Sequence, residues 1–128
     1  MNRPLPLRAR LVCVIARRQK GKPYQYGAEG PNSFDCSGLA VYCFKWVGKK
    51  LLRTSQLQWE HGTPIGRKAI RESDLLFFVG AGPGAPPRHM GIYLGSGLFI
   101  EAPHTGVKVR ISHLDGYPGY MGARRYIK

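Results

Sequence analysis

The segment RHMGIYLGSGLFIEAP (88–103) constrains the fold most, because apolar residues alternate on both sides of Gly95-Ser96-Gly97. A period of two marks half-buried strands, and the glycine-rich triplet between them marks a hairpin turn. Pairing Leu94 with Leu98 across that turn makes every pair of facing positions sum to an even number. Met90, Ile92, Leu94, Leu98, Ile100 and Ala102 then share one apolar face, while His89, Gly91, Tyr93, Phe99 and Glu101 share the other. A slip of one residue sets Glu101 among Met90, Ile92 and Leu94, where a carboxylate is buried without a partner. The even register is therefore expected. It brings His89 and Glu101 within reach of each other, diagonally across neighbouring strands. Gly91, on the same face, is expected to leave room for a helix end or a substrate.

A second local signal lies in NSFDCSGLAVYCFKWVG (32–48). Asp35 reads as a helix N-cap and Gly48 as the exit. Leu39, Cys43 and Val47 recur every four residues, with Ala40, Phe44 and Trp46 widening the apolar stripe. Cys36 falls in the first turn, where free N–H groups and the helix dipole are expected to favour a thiolate. A thiol there needs a base, and the chain offers His61, His89, His104 and His113. Position has to decide among them, and the hairpin register gives His89 a carboxylate on its own face. A carboxylate that fixes an imidazole, which takes a proton from a thiol, is a nucleophile–base–orienter arrangement. His104 would face His89 only in the disfavoured register.

The other cysteines fit this reading. Three cysteines without a CxxC spacing make neither a disulfide framework nor a zinc cluster. Cys36 and Cys43 are separated along one helix by roughly 10 Å, too far for a disulfide. Cys13, inside LVCVIA (11–16), and Cys43 are expected in the core.

The remaining chain reads as helix over 5–19, a Gly/Pro-rich loop over 21–33, and a short helix around 55–61. DLLFFVG (74–80) reads as a strand buried on both faces, and AGPGAPP (81–87) as a loop. The hairpin follows, then strands in GVKVRIS (106–112) and GYMGARRYIK (119–128). Helices followed by an antiparallel sheet make the fold class α+β, as a single domain over 1–128. The longest apolar run has six residues, so no membrane span is expected. Twenty Lys and Arg against seven Asp and Glu give a net charge of +13, which calls for an anionic partner. The basic residues are scattered and form no helix-turn-helix, zinc-finger or RNP-like pattern, so a specific nucleic-acid module is the weaker alternative.

Taken in order, GKPYQYGAEGPNSFDCSGLAVY, LLRTSQLQ, RESDLLFF and RHMGIYLGSGLFIEAPHTG resemble the NlpC family of cell-wall cysteine peptidases, papain-like enzymes that cleave peptidoglycan stem peptides. The resemblance covers nearly the whole chain. It implies a papain-like fold, with the nucleophile at a helix N-terminus packed on a small antiparallel sheet. It puts the nucleophile on Cys36, the base on His89, the third polar residue on Glu101 and the tyrosine beside the nucleophile on Tyr24. Tyr24 and the Cys36 N–H are then candidates for holding the oxyanion. Asp35, Ser37, Arg53 and Ser55 are expected to line the substrate groove, with Arg53 gripping a stem-peptide carboxylate.

The chain departs from the family pattern at three places. The third position is more often His than Glu, Ser73 stands where Gly is usual, and AGPGAPP reads as extra loop near the cleft. The implied reaction cuts between D-glutamate and diaminopimelate or lysine through a thioester, with no metal or cofactor. Expected partners are peptidoglycan stem peptides and the anionic cell-wall surface, and the expected state is a monomer. The place of action is the cell wall, reached by secretion or by phage or effector delivery, or as a domain of a longer protein. An amidase or acyltransferase on the same fold is the alternative chemistry.

Overall fold

Helices come first and strands after, as the change in hydrophobic period predicts. The computed structural model describes residues 4–79 and 84–128. It contains α1 (Leu7–Arg18), α2 (Cys36–Lys45) and α3 (Ser55–His61), then β1 (Thr63–Ile65), β2 (Leu75–Val79), β3 (Pro87–Gly95), β4 (Leu98–Glu101), β5 (Arg110–His113) and β6 (Tyr120–Arg125). The strands form one sheet in the order β1-β6-β2-β3-β4-β5, antiparallel at every junction. The fold is α+β and papain-like. No helix among the described residues is long and apolar enough to cross a membrane.

The sheet has an apolar layer on each side. On the helical side, Ala9, Val12, Cys13 and Ala16 of α1 and Leu39, Ala40, Cys43 and Phe44 of α2 meet Leu75, Phe77, Met90, Ile92 and Ile100. On the other side, Leu76, Phe78, Tyr93, Phe99, Leu114 and Ala123 form a second cluster. The sequence LLFF of β2 thus feeds both layers, as a strand buried on both faces must. All five phenylalanines are buried. Each contributes on the order of 2 kcal/mol of transfer free energy.

The β3–β4 hairpin keeps the expected parity where it matters, pairing Ile92 with Ile100 and Tyr93 with Phe99. The tip differs from the expected three-residue turn. Gly95 pairs with Leu98, and the register shifts by one between Tyr93 and Gly95, so Leu94 does not face Leu98. Ser96 and Gly97 have φ of 55° and 79°, the positive pair of a two-residue turn whose twist matches the strands. The Tyr93 hydroxyl accepts the Gly97 N–H at 2.9 Å and fixes the tip. Gly91 also has another role than expected. A Cβ there would lie 2.6 Å from the Phe99 ring, so the space belongs to Phe99 and not to a substrate.

Longer-range features depart further. Trp46 caps the end of α2 and is 67% exposed instead of joining the apolar stripe. The first half of GVKVRIS leaves the sheet, with the Val109 N–H donating to the Lys22 carbonyl and its carbonyl accepting the Gly21 N–H. The last strand, β6, lies between β1 and β2, and β1 forms where no strand was expected. Residues 81–83 of the AGPGAPP loop lie outside the described residues, and its last residue, Pro87, opens β3.

Ser73, just before β2, has φ of 73°, is buried, and finds no partner for its hydroxyl among the described residues. A left-handed conformation costs an L-residue roughly 1–2 kcal/mol. Glycine escapes that cost but loses more chain entropy on folding. Ser73→Gly is expected to stabilise the protein by about 1 kcal/mol, seen as a Tm rise of a few degrees. An unchanged or lower Tm would show that the Ser73 backbone is not strained.

Candidate active site

The carboxylate of Asp35 organises the entrance to α2. Its Oδ1 accepts the Gly38 N–H at 2.7 Å, capping the helix, and its Oδ2 accepts the Gly27 N–H at 2.9 Å from the preceding loop. Arg53 closes the arrangement, donating to Oδ1 at 3.2 Å and to Oδ2 at 2.8 Å. The same guanidinium donates to Ser37 Oγ at 2.8 Å and pairs with Glu29 at 2.8 Å. Gly38 is required by this packing, because a Cβ on it would collide with the Ala28 carbonyl and the Asp35 carboxylate.

Cys36 begins α2 and is partly exposed, unlike the buried Cys13 and Cys43. Burial and, after it, the Asp35 carboxylate push its thiol up to about 11, against the pull of the N–H groups of Ser37, Met90 and Cys36 itself. This corrects the expectation of a resting thiolate. The residue that caps the helix also sets a negative charge beside the sulfur, which offsets the helix dipole. Without a base, Cys36 stays a thiol at neutral pH.

The candidate base lies on β3, the strand packed against α2. The Met90 N–H reaches the Cys36 sulfur, and His89 is the preceding residue on β3. His89 Nε2 lies 2.6 Å from Glu101 Oε1, the contact expected from strand parity. Glu101 is fully buried and also accepts hydrogen bonds from Ser112 at 2.5 Å, Tyr117 at 2.7 Å and Arg110 at 3.1 Å. Burial opposes ionisation of Glu101, but bonds from His89, Ser112 and Tyr117, with the His89 charge, outweigh it and hold the carboxyl at about 2. An ionised carboxylate only accepts, so the His89 Nε2 carries the hydrogen. In the neutral ring Nδ1 is then the free acceptor. The ring packs against Phe78 and Tyr117, at centroid distances of 5.5 and 6.3 Å, and those two rings lie 4.7 Å from each other. His104 is on an exposed turn, with Nδ1 3.0 Å from the Thr105 carbonyl, and takes no part in this cluster.

A cleft of about 420 Å³ opens over Cys36, lined among others by Tyr24, Asp35, Ser37, Arg53 and Ser55. Burial raises the Tyr24 hydroxyl above its ordinary value, and the neighbouring Cys36 and Asp35 add to this, so it remains a donor. The other groups point inward. Ser37 Oγ donates to Asp35 at 3.3 Å and accepts from Arg53, and Ser55 Oγ donates to the Pro87 carbonyl at 3.2 Å. Three of the five N–H donors of Arg53 are bonded to Asp35 and Ser37, and its Nε is paired with Glu29 at 2.8 Å. Arg53 therefore does not offer a substrate carboxylate the two free donors expected from the sequence.

Sequence reasoning missed Tyr26, Gln56 and Arg88, which also line the cleft. It missed Ser112 and Arg110 too, although their alternation in VRIS held the signal, since β5 pairs Glu101 with Arg110 and Phe99 with Ser112. Tyr117 lies in LDGYPGY and carried no periodic signal.

A papain-like α+β domain with a thiol at a helix N-terminus, and an imidazole and a buried carboxylate on the adjoining hairpin, defines the class. The NlpC/P60 family model matches residues 21–125, and the chain belongs to that family. It is 39% identical over 115 residues to the murein DD-endopeptidase MepH of Escherichia coli, covering 84% of this chain and 42% of that protein. A crystal structure of an NlpC/P60 family protein from Bacillus cereus superposes with a TM-score of 0.90 at 30% identity, over 98% of this chain and 42% of the other. The peptidoglycan hydrolase RipB of Mycobacterium tuberculosis superposes with a TM-score of 0.81 at 28% identity, over 100% of this chain and 74% of RipB. The chain spans about half or less of the curated relatives it matches, from 20% to 52% of their length.

Glu101 links the cluster to stability. Its carboxyl is lowered from an ordinary 4.5 to about 2, so its stabilising share is full above pH 4.5 and is lost as pH falls through about 2. Glu101→Gln is expected to cost about 2 kcal/mol at neutral pH, because it leaves buried donors without their charged acceptor. The gap between wild type and variant in denaturant melts should narrow as the pH is lowered from 4.5 toward 2. A gap independent of pH would mean that Glu101 is not held as a carboxylate.

Proposed function

We propose that this chain is a cysteine endopeptidase that hydrolyses peptide bonds in peptidoglycan stem peptides, with residues 1–128 acting as one catalytic unit. The observation that carries this reading is the 2.6 Å bond between His89 Nε2 and an ionised, buried Glu101, which leaves Nδ1 as the free acceptor of the ring, one residue before Met90 of the core cluster that Cys36 packs against. Nδ1 takes the Cys36 proton, and the thiolate attacks the scissile carbonyl. The Cys36 N–H and the Tyr24 hydroxyl donate to the resulting oxyanion. Collapse breaks the C–N bond, and His89 returns its proton to the leaving amine. The acyl group is left on sulfur as a thioester. His89 then deprotonates a water that attacks the thioester, and the thiol is restored. Glu101 keeps the ring in the productive tautomer and balances the imidazolium while it exists.

Two comparisons support the substrate class: MepH is named a murein endopeptidase and RipB a peptidoglycan hydrolase. The net charge of +13 suits an anionic wall, where this enzyme is proposed to act. The bond proposed is the one between D-glutamate and diaminopimelate or lysine. A second reading, a D,D-peptide bond, is favoured by the name of MepH. Transfer of the thioester to an amine instead of water would make the protein an acyltransferase.

Digesting purified peptidoglycan and weighing the fragments separates these outcomes. The reading expects new amino termini at diaminopimelate or lysine, and none with Cys36→Ala. Fragments cut between two D-centres would move the assignment to the second reading. Release that persists in Cys36→Ala would remove the thiol from the mechanism. Within the site, Glu101→Gln is expected to lower kcat by about 10²–10⁴-fold in a folded protein, as a mis-set tautomer does in other triads. His104→Ala should leave kcat unchanged. The reverse pattern would displace Glu101 as the orienter of His89.

A further inference from the structure

Two cations line the cleft over Cys36, Arg53 and Arg88. They differ in what they have left to offer. Arg53 stands between Asp35 and Glu29, two carboxylates against one guanidinium, and most of its donors are already bonded. Arg88 is exposed and takes part in no ion pair or side-chain hydrogen bond among the described residues. All seven acidic side chains of the chain lie among the described residues, and none of them pairs with Arg88.

The position of Arg88 follows from β3. Alternation along the strand sends His89 to the side of Phe78 and Tyr117, while Met90 faces α2 and turns its N–H to Cys36. Arg88 is the extra residue of a bulge at this end of β3, where Phe78 pairs with His89 and Val79 with Pro87, and it lines the wall of the cleft over Cys36. The α2 wall carries Asp35, and the Arg53 that pairs with it is shared with Glu29 behind the wall, which leaves this side with surplus negative charge. A substrate carboxylate entering this cleft is repelled by the α2 wall and drawn to the β3 wall.

We propose that Arg88 is the specificity-determining residue that anchors a substrate carboxylate adjacent to the scissile bond, through the two-pronged hydrogen bonding that Arg53 cannot spare. The proposal rests on the peptidase reading for its substrate class. It adds that the enzyme discriminates between stem peptides whose carboxylates are free and those in which they are amidated. Amidation removes the charge and one acceptor at nearly constant size, so discrimination is electrostatic and not steric.

The test uses the full chain and three synthetic tripeptides: L-Ala-γ-D-Glu-diaminopimelate and its forms amidated at the glutamate or at the diaminopimelate carboxyl. Binding is titrated with Cys36→Ala, which cannot turn the peptides over, and cleavage is followed with the wild-type thiol. One of the amidated peptides is expected to bind at least about tenfold more weakly than the free acid, the size of a lost hydrogen bond to a charged group. Adding Arg88→Gln should erase that preference, raising KM for the free acid while kcat and the amidated substrate are little changed. Arg88→Lys should restore part of it, as a charge without the fork.

A preference that survives Arg88→Gln, or no preference at all, overturns the proposal. Carboxylate-selective binding that depends on Arg88, without Cys36-dependent cleavage, would uphold the anchor and overturn the peptidase reading. A folding defect would show as a lowered Tm and lost binding of every peptide in Arg88→Gln. Arg88→Lys then carries the comparison, and an unaltered ratio of free-acid to amide binding in it would overturn the two-pronged anchor.

Discussion

The Asp35 carboxylate is the interaction on which the site depends. It caps α2, ties down the loop before it through Gly27, and receives Arg53 from the segment that leads into α3. Three separate stretches of chain therefore converge on two oxygen atoms. The sulfur of Cys36 is placed by that convergence, not by its own packing. The arrangement has a chemical consequence. Burial and the nearby negative charge keep the thiol protonated, so reactivity has to be supplied by a partner and is confined to the place where that partner stands.

Glu101 is the second fixed point, and it works by the opposite means. It is fully buried, yet remains ionised because four donors surround it, from His89, Ser112, Tyr117 and Arg110. A buried carboxylate with that many partners is an orienting device, since any rotation of it breaks several charge-assisted bonds. The imidazole of His89 inherits this rigidity through Nε2 and through its packing against the rings of Phe78 and Tyr117. A glutamate at this position can thus do what the histidine more usual in the family does, and the surroundings are built for the charge.

What the sequence made legible was set by short-range rules. Asp35 as a cap, Cys36 in the first turn and the shared face of His89 and Glu101 all follow from neighbours within one helix or one hairpin. The tip of the hairpin escaped because one bulged residue changes the turn without changing the parity below it. The insertion of β6 between β1 and β2, the approach of Tyr117 to Glu101 and the engagement of Arg53 by Asp35 and Glu29 join residues far apart in sequence. No local period encodes those meetings. Arg53 is the clearest case: its residue type suited a carboxylate of the substrate, and the fold had already supplied one. Ser73 is the reverse, a departure from the family's usual glycine whose meaning emerged only with its positive φ.

The central claim is that His89, held by Glu101, makes an otherwise inert Cys36 thiol reactive. The most direct measurement is the rate of iodoacetamide alkylation at Cys36 as a function of pH, in wild type and in His89→Ala. The account predicts that wild-type Cys36 reacts at neutral pH well ahead of Cys13 and Cys43. In His89→Ala that reaction should slow by more than about tenfold and recover only as the pH rises toward the thiol's own value. An alkylation rate at neutral pH that His89→Ala leaves unchanged would contradict it.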